Sequence, residues 1–433
     1  MLNTVLLESA GRVIASKAPT NCTLVAHFIS AAEGSKFSFY PIFIDSVSFL
    51  YDYAGGYGDE IDLEMTIAPS DYARMQDQGQ DLLCVVTITY VDRYGKQVLS
   101  PAPRCKQYRA IINNPEDVRK SVPDIQVYTE PSKQISVRLM EETVYNLRTT
   151  KINTIYQTVT VEQAIYAIAQ DLGIGKVHLV PPDNVHVYDH ITIGSYQGIA
   201  SIFGYLQSTV GIYQKGVNSY VTGGVLYVYP PYETNPVYDK TAIFYQVDTG
   251  RYAGSNVFHK TEQDSISIVI NSQPNSEDLS ITGAENIGTG VIFNRASRMG
   301  DGYTTIDSNQ GPQFTQDSAM TISLANPRTA VGQRNNLKYI HGTDNPFPAM
   351  SELIFTQASL MTVDWPFADP FQMDPCQKLI YYYDRNEVMV KKTGIQEKAL
   401  YVFTRQQKLD TKYMFSCNAQ LILRLSPNET KVL

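Results

Sequence analysis

The chain has 433 residues, of which 43% are hydrophobic and 18% charged, with 30 Tyr, a single Trp, and a net charge of −8. The length suggests about three domains, the apolar content is enough for real cores, and the tyrosine content suits strands and half-polar interfaces. The acidic balance and the lack of a Lys/Arg run argue against specific nucleic-acid binding, and no apolar run of membrane-spanning length occurs.

Residues 1–125 read as mostly β. Met1–Glu8 lacks the basic start and apolar length of a signal peptide, so the chain is expected to fold in a cytosol. Strand candidates are Thr23–Ile29, Phe37–Ile44 and Val47–Tyr51, followed by a loop at Ala54–Gly58. Glu60–Ile67 alternates strictly, with Glu60, Asp62 and Glu64 on one face and Ile61, Leu63 and Met65 on the other. Pro69–Gln78 reads as a short helix or turn. Asp81–Asp92 is a long strand, Arg93–Lys96 a turn and Gln97–Leu99 a return. Asn113–Asp124 reads as a linker, and Ile125–Tyr156 is again strand-rich.

A compact α/β unit follows. Thr160 and Gln163 form a capping-box pattern. Val161, Ala164, Ile165, Ile168 and Leu172 then recur at helical spacing up to Gly173. Lys176–Val180 is extended and closed by Pro181-Pro-Asp-Asn184. A second helix carries Ile199, Ile202, Phe203, Leu206 and Val210. Short strands are expected at Ile212–Gln214, Ser219–Val221 and Val225–Tyr229, with Gly223-Gly224 as a tight hairpin turn.

Strand signals resume at Thr241–Val247 and Ser265–Ile270. From Asn271 to Phe347, Ser, Asn, Thr, Gly, Gln and Asp dominate. A structureless excursion of this length is unusual inside a compact domain and favours contact with something else. The remaining strands are expected at Leu353–Phe355, Met361–Trp365, Lys378–Tyr383, Glu387–Lys391, Leu400–Phe403 and Lys412–Arg424, with a turn at Asp384–Asn386.

Chemistry-bearing constellations are sparse. Cys22, Cys84, Cys105, Cys376 and Cys417 are scattered and show no C-x-x-C spacing, so neither zinc nor redox chemistry is indicated. Asp183, His186, Asp189 and His190, with His178 nearby, form the best metal candidate. On a strand, however, His186 and His190 would stand about 13 Å apart, too far for one ion. Glu60, Asp62 and Glu64 could be hydrolase carboxylates, but alternation on one strand is the pattern of a solvated face. Facing a channel, the three would repel a passing polyanion. No phosphate loop, nucleophile elbow or zinc-protease motif is present, so no enzyme, cofactor or metal is expected.

The order of β-barrel, small α/β insert and split β-barrel resembles the baseplate hub (tail tip) proteins of contractile-tailed bacteriophages. The insert carries the likeness through Thr158–Ile165, Pro181–Asn184 with Tyr188–Ile191, Phe203–Gln207 through Gly211–Tyr213, and Leu226–Pro231. Asp369–Cys376 is similar to the family's turn before a barrel strand, with Cys376 where a glycine is usual.

The resemblance implies a mainly β (α+β) fold of two tube-like antiparallel barrels. The first would span 1–125, the α/β insert 126–232, the second barrel 233–270 with 348–433, and the loop-rich excursion 271–347. It further implies a homotrimer joining a hexameric tail tube to a trimeric spike. Other baseplate proteins and the tape measure would be neighbours, and DNA would pass through the lumen without specific binding. Glu60, Asp62 and Glu64 are then the expected lumen-facing residues. The expected location is the virion tail baseplate, and the host cytoplasm before assembly. Two other readings are a receptor- or glycan-binding virion protein and a β-rich cell-wall hydrolase.

Overall fold

Alternating apolar residues put a continuous wall of side chains on one face of each N-terminal strand, and that wall closes on itself. The computed structural model describes residues 4–14, 21–53, 56–57, 60–91, 96–97, 103–112, 132–213, 216–231, 240–247, 257–262, 264–270, 275–278, 290–297, 300–307, 321–325, 338–341, 359–368, 370–371, 373, 377–405, 414–426 and 430–432. The expected linker over 113–124, the turn residues 93–95, the strand over 353–355, and Cys376 lie outside the described residues. The strands are β1 (Asn21–Ser30), β2 (Ser38–Phe39), β3 (Phe43–Asp52), β4 (Gly56–Tyr57), β5 (Glu60–Ile67), β6 (Leu82–Val91), β7 (Arg104–Ile112) and β8 (Lys133–Met140). Helix α1 (Thr4–Ile14) precedes them, and α2 (Pro69–Gln78) joins β5 to β6.

The α/β unit contains α3 (Glu142–Thr149), β9 (Ile152–Thr160), α4 (Val161–Asp171), β10 (Lys176–Leu179), β11 (Val187–Gln197), α5 (Ile199–Thr209), β12 (Asn218–Thr222) and β13 (Val225–Tyr229). The capping box at Thr160 and Gln163 forms in both directions. Both helices bury their apolar faces between a β11–β9 ribbon and a four-stranded sheet ordered β10-β13-β12-β4. Two readings are corrected here. Gly56–Tyr57 is a strand that pairs in parallel with Tyr220–Val221, because its neighbours in space come from far along the chain. Ile212-Tyr213 is an irregular segment fastened by side chains, as described below.

The C-terminal half contributes β14 (Thr241–Gln246), β15 (Val257–Thr261), β16 (Ser265–Ile270), β17 (Asn275–Asp278), β18 (Gly290–Ser297), β19 (Gly300–Asp307), β20 (Thr321–Ala325), β21 (Lys338–His341), β22 (Ser359–Trp365), β23 (Lys378–Arg385), β24 (Val388–Arg405), β25 (Met414–Leu425) and β26 (Thr430–Lys431). Strands β18 to β21 form a separate antiparallel sheet ordered β19-β18-β20-β21, so the polar excursion is in part regular structure.

Pairing follows the circuit β24-β3-β5-β8-β7-β6-β1-β25, and β25 pairs back to β24. This closed barrel draws six strands from the first third of the chain and two from its end. Ile61, Leu63, Met65, Val137, Ala399 and Phe403 lie within its core. The strand β8, placed by sequence with the insert, pairs with β5 and β7 in this barrel. A second circuit runs β15-β16-β14-β23-β24-β25-β22-β17. It is not wholly antiparallel: β14 lies parallel to both β16 and β23. Among the described residues its two ends are not paired through the backbone, but His259 of β15 stacks edge-on against Trp365 of β22, with ring centroids 5.0 Å apart.

The two circuits share their longest strands. One edge of β24 pairs with β23 through Val388–Gly394 and with β3 through Lys398–Thr404. A bulge falls between Gln396 and Lys398, where the strand turns from one barrel to the other. Gly394 marks the tightest approach: a Cβ there would lie 2.3 Å from the Arg424 carbonyl oxygen. At the bulge, Glu397 pairs with Arg424 at 2.5 Å, both nearly fully buried. Helix α1 lays Leu6, Ala10 and Val13 against Val247, Val269 and Met389 of the second circuit. The sequence reading missed α1, although its apolar residues recur at helical spacing.

Candidate assembly interface

The carboxylate strand lies on the outside of the closed barrel. Ile61, Leu63 and Met65 point inward and are fully buried, so Glu60, Asp62 and Glu64 project from the opposite face. On that face Ser46 and Ser48 of β3 stand beside Glu64 and Asp62, and Ser136 and Arg138 of β8 flank them on the other side. Beside the carboxylates this face therefore carries the hydroxyl groups of Ser46, Ser48 and Ser136.

Charge on this face is partly cancelled. Arg138 Nε donates to Asp62 at 3.2 Å. Arg148 of α3 pairs with Glu60 and also lies over the Tyr57 ring. Glu64 accepts a hydrogen bond from Ser46 Oγ at 2.8 Å and forms no ion pair among the described residues. Three formal charges thus reduce to about one net charge, and the pairs that neutralise the others are partly exposed.

The residues weighed as a metal candidate do not converge. His190 sits on β11 opposite Gln157, while His186 precedes the strand and packs edge-on against Tyr188. His178 lies on β10 against Tyr227. No group of three or more His, Cys, Asp or Glu that could hold a metal ion occurs among the described residues.

The residues that carry the family likeness have a shared physical role. Asn184 is buried, and its Nδ2 donates to the carbonyls of Val210 and Gly211 at 2.9 and 2.8 Å and to the Tyr188 hydroxyl at 2.9 Å. Its Oδ1 accepts from the His186 amide. Gln207 Oε1 accepts from the amides of Ile212 and Tyr213, and its Nε2 donates to the Tyr213 carbonyl. The Tyr213 hydroxyl donates to the Val180 carbonyl. Two buried amides and a phenol therefore satisfy a stretch of irregular backbone that no sheet serves. Polar residues flanking Gly211 were the available signal.

A second connection fixes this unit to the barrel. Glu141, at the end of β8, is buried and accepts from Lys106 Nζ at 3.1 Å and from the Gly223 amide at 3.0 Å. Gly223 and Gly224 have φ of 61° and 72°, which suits the tight turn between β12 and β13. Stacking of Tyr220 on Tyr227 and contact of Tyr220 with Tyr53 and Tyr229 extend the joint into the barrel core.

Solved tail proteins are among the structures to which this chain is similar. The solved tail protein from Neisseria meningitidis MC58 is 11% identical, with 93% of this chain and 96% of that one covered and a TM-score of 0.46. The 43 kDa tail protein of prophage MuSo2 from Shewanella oneidensis is 12% identical, with 93% and 98% covered and a TM-score of 0.44. An Escherichia coli type VI secretion component, described as structurally similar to T4 tail proteins gp27 and gp5, is 10% identical, with 94% and 79% covered and a TM-score of 0.45. Within the chain, residues 81–243 match the family described as Bacteriophage PBS1 gene 109 protein. No curated protein matches the chain.

Proposed function

We propose that this chain is a structural, non-enzymatic hub of a phage tail baseplate, acting as a homotrimer between a hexameric tail tube and a trimeric spike. The observation that supports this reading is the pair of barrel-like circuits sharing β24 and β25. Two such units per chain let three chains present six similar units in a ring, which suits a three-to-six adaptor. Tail tube, spike, other baseplate proteins and the tape measure are its proposed neighbours. Its proposed location is the virion tail, after assembly from the host cytoplasm. Light scattering with negative-stain imaging tests this: a ring-shaped trimer is expected. A compact monomer that binds a defined sugar would favour glycan recognition instead, and turnover of cell-wall material would favour a hydrolase.

In this reading the outer face carrying Glu60, Asp62 and Glu64 lines the DNA channel. Hydroxyl groups and internally neutralised carboxylates offer a phosphate backbone neither strong attraction nor a place to stick. Replacing all three with Lys is expected to slow genome ejection while particles still assemble. Each acid-to-Lys change adds two charges whether or not an Arg pairs with the acid, so Glu64→Lys alone is expected to give a smaller effect than the triple variant. Unchanged infectivity of the triple variant would remove these residues from the channel.

A further inference from the structure

The α/β unit has an open strand edge beside a cleft, and neither takes part in the hub reading. Strand β10 ends its sheet, bonded to β13 on one side only among the described residues. Between β10 and α4 lies an open cleft of ≈ 490 Å³ lined by Tyr166, Ala169, Gln170, Gly173, Ile174 and Val177, among others. Tyr166 is 48% exposed and is not among the residues packed into the core of the α/β unit. The cleft therefore has a backbone edge on one side and an aromatic surface on the other.

Charge specifies what fits. Helix α4 carries Glu162 and Asp171 and no basic residue. Glu162 lies one turn before Tyr166, whereas Asp171 accepts a hydrogen bond from the Tyr156 hydroxyl of β9 at 2.6 Å. The C-terminal end of α4 forms the cleft wall, and a helix C-terminus favours a cation. Lys176 and His178 alternate away from Val177, on the other face of β10.

We propose that this edge takes an extended segment of a partner polypeptide, which adds to β10 as a strand and places a Lys or Arg side chain over Tyr166. Main-chain hydrogen bonds supply the affinity of such a mode, and the side-chain pocket its choice of sequence. The cation gains from the ring face and from the acidic helix.

The test uses the full chain and a fluorescent peptide of alternating Thr and Val with one central Arg. A matched peptide with Glu in place of Arg is the control. The Arg peptide is expected to bind at least tenfold more tightly and to slow amide exchange over Lys176–Leu179. Tyr166→Ala, at an exposed position, is expected to weaken binding by about two- to fivefold. Glu162→Gln is expected to narrow the preference for Arg over Glu. Equal binding of the two peptides, or no change in exchange on β10, would overturn the proposal. Protection of β10 that rises with protein concentration without peptide would assign the edge to a second copy and overturn it equally. Because trimerisation and channel lining are not read out, failure here leaves the hub reading standing.

Discussion

Acidification is expected to loosen the second barrel through His259. This ring is 8% exposed and packs edge-on against Trp365. Burial holds its pKa down to about 4, against 6.5 for a free histidine. The folded state favours the neutral ring, so the unfolded chain binds the proton first as pH falls. The stability contribution is complete above about pH 6.5 and is lost as pH drops towards 4. The full difference is worth about 3 kcal/mol, of which about 2 kcal/mol is gone by pH 5. The chain has one Trp, so fluorescence in urea titrations reports on this contact directly. Wild type and His259→Gln are compared at several values from pH 7.5 to 5. The variant is expected to lack this pH-dependent loss, while carboxylate titration affects both alike. Parallel stability curves for the two proteins would refute the reasoning.

Three further substitutions probe the fold. Gly394→Ala drives a methyl group into the Arg424 carbonyl and is expected to cost about 3 kcal/mol or more, read as a lower melting temperature than that of Gly204→Ala, where a Cβ meets nothing within 4 Å. Gln207→Ala leaves two amides and a carbonyl of the Ile212–Tyr213 segment without their partner; a loss of about 2–3 kcal/mol is expected, with faster amide exchange confined to the α/β unit. Glu387 adopts φ of 66° in the hairpin turn after Asn386, so Glu387→Gly is expected to raise stability by about 0.5–1 kcal/mol in thermal unfolding.

Local signals were legible where a segment settles its own structure. The capping box at Thr160, the alternation of Glu60–Ile67 and the Gly223-Gly224 turn each depend on a few neighbouring residues, and each is present. Pairing between distant segments was not legible. Nothing near Val388–Arg405 shows that one strand of 18 residues will serve two barrels; Gly394 and the charged residues around it read as an interruption. Likewise the carboxylate face was visible, but its neutralisation was not. Arg138 is 76 residues from Asp62, and Arg148 sits on a helix that the strand-rich reading of Ile125–Tyr156 concealed. The polar staple of Asn184 and Gln207 escaped notice because buried amides have no periodicity, only a destination.

The shared strands also set a timetable. Six strands of the first barrel emerge from the ribosome before Met140, yet the two that close it begin at Val388. At ordinary rates of synthesis the open edges of β1 and β3 wait on the order of tens of seconds for their partners. Through that interval the nascent chain presents an unclosed apolar trough, a natural client for chaperones and a hazard in crowded cells. Closure comes only with the last tenth of the sequence, so a chain terminated before it lacks a finished barrel.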